Sequence, residues 1–200
     1  MATHYKVTRA VDAGMAHPTR EYLAWRDAMT RVGATYTQIR QGDELHLDAT
    51  TTLTVLAPPQ SLYPEQQGTT SSSDDIILRL NTPGLRALLL GAADTYALDA
   101  LAGSGQPLDA DVVELALVPG ETLDTTGALG DVLRQAHPRL VVICDAPIAP
   151  DSATARKRTH GVAWSSDNDA ATALGTLIYR TSAAGAISLS GGDNGWGVGG

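Results

Sequence analysis

The chain has 200 residues, a formal net charge of −8 and 43% hydrophobic residues, which fits a folded domain and excludes wholesale disorder. Fourteen basic residues against 22 acidic ones give a field that repels phosphate backbones, so contact with nucleic acid requires a local basic patch. The lone cysteine, Cys144, excludes an internal disulfide framework and a Cys-rich zinc module.

No apolar run reaches the roughly 18 residues of a spanning helix. The start, MATHYKVTRAV, lacks an apolar signal core, so the chain reads as soluble. Phenylalanine is absent and aromatics are 4%, so the core must be built from Leu, Val, Ile and Ala.

Residues 5–13 alternate loosely and read as a strand. His17-Pro18-Thr19 opens a helix in which Tyr22, Trp25, Met29 and Val32 fall at helical spacing, and Gly33 stops it. Residues 35–40 alternate again. Leu45–Asp48 and Thr52–Leu56 predict a hairpin around Ala49-Thr50. Residues 57–73 carry no period and read either as a linker or as a functional loop.

Ile76–Asn81 and Leu85–Leu90 flank Thr82-Pro83-Gly84, a strong hairpin signal. A helix over 93–102, a strand over 111–118, a helix over 127–136 and a buried strand over 139–144 follow. Residues 146–168 read as a second polar connection. Thr176–Thr181 and Ala186–Ser190 predict a last hairpin around Ala183-Ala184-Gly185, and residues 191–200 read as a glycine-rich flexible tail. The predicted class is α/β (α+β): a mixed, largely antiparallel sheet with helices on one face.

Motifs for chemistry are sparse. The five histidines, His4, His17, His46, His137 and His160, lie more than four residues apart, and HxH, HExxH and CxxC are absent. Ser104 sits in a helix-terminating turn, not in a GxSxG elbow. Cys144, at the end of an apolar strand beside Asp145, reads as a buried inert thiol. Gly191-Gly192 lack the helix that a phosphate loop needs. Asp74, Asp75, Asp94 and Asp99 read as turn and helix caps. Arg156-Lys157-Arg158, with His160 nearby, is the dense positive spot that phosphates would meet. No cofactor or metal ligand is predicted.

The succession TYTQIRQGDELHLDATTTLTVLAPP, SDDIILRLNTPGLRALLLGAAD, LDADVVELALVPGE, PRLVVICDA and LGTLIYRTSAAGAISLS resembles a known family. It is similar to the second half of the metallo-β-lactamase-like domain of ComEC-type competence proteins, the DNA-uptake channel family. The resemblance covers about residues 5–190 and rests on order and spacing. It implies one half of an αββα sandwich over residues 1–190, with the HxHxDH motif in a preceding half.

The family's Asn/Ser element falls on Ser73-Asp74-Asp75. Its metal-binding Gly-Asp falls on Gly91-Ala92, and its His-His-Gly-Ser on Leu117-Val118-Pro119-Gly120. Ala92, Leu117 and Val118 have no electron pair to give a metal, so the resemblance implies the fold and argues against the activity.

It also implies an exposed apolar sheet face, with Ile76, Leu78 and Leu80 on one strand and Leu85, Ala87 and Leu89 on the next. That face would take a second copy as a homodimer, or the missing half. Three readings stand. The first is an inactive segment (a pseudoenzyme) with a structural or interaction role in DNA uptake. It would be a soluble appendage of a membrane-anchored protein, without membrane contact of its own. The second is a hydrolase or nuclease whose ligands lie upstream. The third is an unrelated binding module.

Overall fold

The structure is a computed structural model that describes residues 6–14, 19–60, 75–118, 121–145, 165–192 and 195–199, with backbone alone at 165–167. It is mixed α/β, as expected. Its main sheet has seven strands in strict chain order: β3 (Glu44–His46), β4 (Thr52–Ala57), β5 (Ile77–Thr82), β6 (Leu85–Gly91), β7 (Val112–Ala116), β8 (Leu140–Cys144) and β9 (Leu177–Arg180). The pairings from β3 to β6 are antiparallel, and those from β6 to β9 are parallel. Hairpins make the first half. Crossover helices make the second, because a parallel neighbour cannot be reached by a tight turn.

Those helices are α2 (Thr95–Gly103), α3 (Ala128–Ala136) and α4 (Ser165–Leu174). Asp94 caps α2 by accepting from the Ala97 N–H at 2.8 Å, and Ser104 ends it, its hydroxyl on the Leu101 carbonyl at 2.7 Å. The first turn of α3 wraps the backbone of Thr125 so tightly that a Cβ on Gly130 would lie 2.0 Å from the Thr125 oxygen. All three helices cover the same sheet face. Leu98 and Leu101, Val132 and Leu133, and Ala170 join Leu88, Val113, Val141 and Ile143 in one core. Sequence pattern predicts no helix at α4, because its Ser, Asp, Asn and Thr are weak helix formers and its apolar side is little more than Ala170 and Leu174.

Before the sheet come β1 (Arg9–Asp12), α1 (Arg20–Arg31) and β2 (Thr35–Gln38), with β1 and β2 parallel. Thr19 caps α1 by accepting from the Tyr22 N–H at 3.2 Å. No α1 residue is buried; polar contacts hold it instead. Asp12 accepts from the hydroxyls of Tyr22 (2.9 Å) and Tyr36, and the Arg26 guanidinium lies 4.2 Å over the Tyr36 ring. Burial, then the bond to Asp12, push the Tyr36 phenol well above its ordinary range.

Two expectations at the C-terminal end are corrected. Residues 176–190 do not form a hairpin. Leu177–Arg180 joins β8 in parallel as the sheet edge, and Thr181–Ala184 turns into a short helix, α5. The glycine-rich end is not a free tail along its length. Ser188–Gly192 (β10) pairs antiparallel with Gly195–Gly199 (β11). Glycine repeats read as disorder in one dimension. Here one of them permits close approach, since a Cβ on Gly191 would lie 2.9 Å from the Leu85 Cβ and 3.1 Å from the Pro83 oxygen.

The hairpin also changes the expected bare face. The register sets Leu78 against Leu89 and Leu80 against Ala87, so the two apolar rows do share one side. Yet Leu85 and Ala87 are 5% and 2% exposed, because Ile187, Leu189 and Trp196 pack against them together with Val112, Leu140 and Val142.

Leu88 sits at the centre of the helix-covered face, at 0% exposure. Leu88→Ala is expected to lower the unfolding free energy by about 2–5 kcal/mol. Urea titration should show a lower midpoint with an unchanged slope.

Candidate functional site

The parallel strands β6 and β7 end at the same rim of the sheet, and the loops that leave them enclose a cavity of about 590 Å³. Ala92 follows β6, and Leu117 and Val118 follow β7; all three line this cavity. Two segments that sequence order keeps apart are thus brought together by the parallel pairing.

The described residues at this rim do not fit a metal. Among the described residues no group of three or more His, Cys, Asp or Glu side chains could hold one. Three carboxylates line the cavity, Asp94, Glu121 and Asp124, and each is engaged with its own backbone. Asp94 caps α2, and Glu121 accepts from the Val118 N–H at 3.2 Å. Asp124 accepts from the Thr126 hydroxyl at 2.7 Å and from its N–H at 2.8 Å, which hold its carboxyl below the usual range. The described histidines lie elsewhere. His46 is on β3 beside Glu44, and His137 caps α3 in a left-handed conformation before β8.

Further along the same rim lies an arrangement that the sequence reading did not single out. Asp145, just past β8, pairs with Arg180 at the end of β9 at 3.0 Å, and their side chains are 3% and 12% exposed. The second Asp145 oxygen accepts from the Ser182 N–H at 2.9 Å. The Thr181 hydroxyl donates to the Asp145 carbonyl (2.9 Å) and accepts from its N–H (3.0 Å). The other guanidinium nitrogen of Arg180 reaches the Glu121 carbonyl at 3.0 Å, tying the cavity loop to the sheet edge. A signal for it exists in sequence. Each charge follows directly on an apolar strand, where a bare ion would be costly and a partner is therefore expected. Burial raises the Asp145 carboxyl, but the Ser182 and Arg180 bonds outweigh it and leave the group below its ordinary value.

Cys144 is a half-buried free thiol on the face opposite the helices. Burial, then the neighbouring Glu114 carboxylate, push it up to about 11, which fits the inert-thiol reading. Glu114 also accepts from the Gly91 N–H at 3.4 Å. Arg156, Lys157, Arg158 and His160 lie outside the described residues, as do Ser73, Asp74, Pro119 and Gly120.

No family model matches the chain, and no curated protein matches it. Nine solved chains are similar to it in structure. Among them is a protein of Parabacteroides distasonis ATCC 8503 named, provisionally, as a metal-dependent hydrolase. It is 13% identical at a TM-score of 0.46, over 91% of this chain and 80% of that one. The chemistry of the site therefore rests on this chain's own side chains. Among the described residues no helix is long and apolar enough to cross a membrane.

Removing one partner of the rim ion pair leaves the other charge buried and uncompensated. Asp145→Ala is expected to cost about 3–5 kcal/mol at neutral pH. The native carboxyl titrates below its unfolded value of about 3.9, so its contribution is complete above that pH and is lost as the pH falls through the native value. Acid unfolding followed by circular dichroism should therefore be less steep in the variant. At pH 8 a thiol raised to about 11 is expected to react with a disulfide probe on the order of a hundredfold more slowly than free cysteine, with urea restoring the rate.

Proposed function

We propose that the chain is a catalytically inactive, metallo-β-lactamase-like half-domain of a ComEC-type competence protein, with a structural or interaction role in DNA uptake. One observation carries the reading. The three positions at which the resemblance puts metal ligands, Ala92, Leu117 and Val118, line a single cavity at the carboxyl ends of parallel strands, and each presents hydrocarbon there. A Lewis-acid centre needs lone pairs converging on a point, and this rim supplies an internal ion pair in their place. On this reading the domain is a soluble appendage of a membrane-anchored protein.

Purified chain dialysed against zinc or manganese is expected to hold substoichiometric metal and to leave a generic phosphodiester intact. Stoichiometric metal, with hydrolysis that a chelator abolishes, would overturn the proposal in favour of the hydrolase reading.

For DNA, the contact is assigned to Arg156, Lys157 and Arg158. A labelled oligonucleotide should bind at low salt. Replacing the three by alanine should reduce the slope of log affinity against log salt by about 2–3. Absence of binding at low salt would remove the DNA contact.

A further inference from the structure

We propose that the β10–β11 hairpin is a displaceable cover over a self-pairing surface, and that a second copy of this chain, presenting the same sheet face, takes the hairpin's place. The inference deepens the interaction role proposed above and rests on it.

The surface is the side of the main sheet away from the helices. At its centre are Leu85, Ala87, Val112, Leu140 and Val142, an apolar patch shared by three adjacent strands. What covers it is itself a two-stranded antiparallel sheet that packs on it through Ile187, Leu189 and Trp196, so a sheet is the occupant this face already takes. The cover is also too small. The register puts Leu177 beside Leu140 and Tyr179 beside Val142, on the same side, and these edge residues remain 62% and 40% exposed. The patch therefore runs past the hairpin to the sheet edge. A second copy can present the same face across a two-fold axis, as an isologous interface requires.

The hairpin is weakly built. Five of the ten residues in its strands are glycine, which are costly to order and bring no side chain to the interface. Its grip consists of Ile187, Leu189 and Trp196. Among the described residues the buried Trp196 indole N–H has no hydrogen-bond partner, a cost present when the hairpin is docked and relieved when it leaves. Outside the patch, Arg139 lies 5.0 Å from the Trp196 ring as the polar side of the contact. One position controls docking without altering the sheet. A Cβ on Gly191 would lie 2.9 Å from the Leu85 Cβ and 3.1 Å from the Pro83 oxygen, in a backbone conformation that any residue adopts.

The test uses the full chain, Gly191→Val, Trp196→Ser, and a chain ending at residue 186, each followed by sedimentation over a range of concentrations. Hydrogen exchange over residues 187–199 reports docking in the full-length proteins. The parent is expected to sediment as a 20.8 kDa monomer with a protected hairpin. The variants should exchange fast in the hairpin and form dimers at concentrations at least about tenfold lower than the parent, the shift expected when a competing intramolecular contact is removed. A peptide of residues 187–199 added to the shortened chain should return it to monomer.

An undocked hairpin without dimerisation overturns the proposal. So does a hairpin that stays protected in both Gly191→Val and Trp196→Ser, and so does a parent that is already dimeric with its hairpin docked. Should the shortened chain fail to fold, the two point variants decide. Metal binding or hydrolysis would sink the non-catalytic reading by a different measurement and would leave the sedimentation result readable on its own.

Discussion

A sheet whose crossover helices all lie on one side has a second side that must leave water by other means. That constraint organises this molecule. Strand order runs from β3 to β9 without reversal, and α2, α3 and α4 cover the same face. The Leu, Val and Ala side chains that alternate to the opposite face cannot be matched by a helix, because no crossover passes there. The chain answers with its own C-terminal segment, a short hairpin carrying three apolar anchors. The answer is partial, since burial is complete at Ala87 and lapses at Leu177.

The rim at the carboxyl ends of β6 to β9 shows a related economy. Parallel strands deliver several loop starts to one edge, which is why α/β folds place chemistry there. Here the same geometry gathers Ala92, Leu117 and Val118 around one cavity, and at the next two strands it gathers Asp145, Arg180 and Thr181 into a closed set of hydrogen bonds. Both ions spend their bonding capacity on each other and on backbone. Arg180 adds the Glu121 carbonyl, so the cavity loop and the sheet edge are held by one guanidinium. A network satisfied in this way stabilises and positions loops, and it leaves little free for a substrate.

Much of the fold is legible in the sequence where the local signal and the tertiary demand agree. Thr82-Pro83-Gly84 between two apolar runs predicts a hairpin, and the β5–β6 register closes at Thr82 and Leu85. The run RLVVIC predicts a buried strand because both its faces are apolar, and β8 lies near the middle of the parallel half. Agreement fails where partners are distant. Thr176–Thr181 reads as half of a local hairpin, yet its pairing partner, β8, lies more than thirty residues earlier. Alternation cannot say which edge a strand will join. Residues 191–200 carry so much glycine that composition suggests fraying, while Trp196, with Ile187 and Leu189 before it, holds the information that the segment docks. At the rim, the positions where the resemblance expects donors, Ala92, Leu117 and Val118, can be named from it. The ion pair cannot, because it is a coincidence of two strand ends in space.

The β1–α1–β2 unit obeys a different balance from the main sheet. Two parallel strands make a small sheet, and α1 buries none of its residues, so hydrocarbon contributes little to holding the unit together. The Asp12 carboxylate, two phenols and the Arg26 guanidinium take that role. Polar contacts of this kind, half-exposed, each stabilise weakly and are screened by solvent. The unit is linked to the main sheet through the buried Ile39 and the bond from the Gly42 N–H to the Val55 carbonyl at 2.9 Å. Stability is therefore graded along the chain. It is deepest where β6, β7 and β8 are covered on both faces, and lower at the hairpin. It is lowest at α1, which buries no residue of its own.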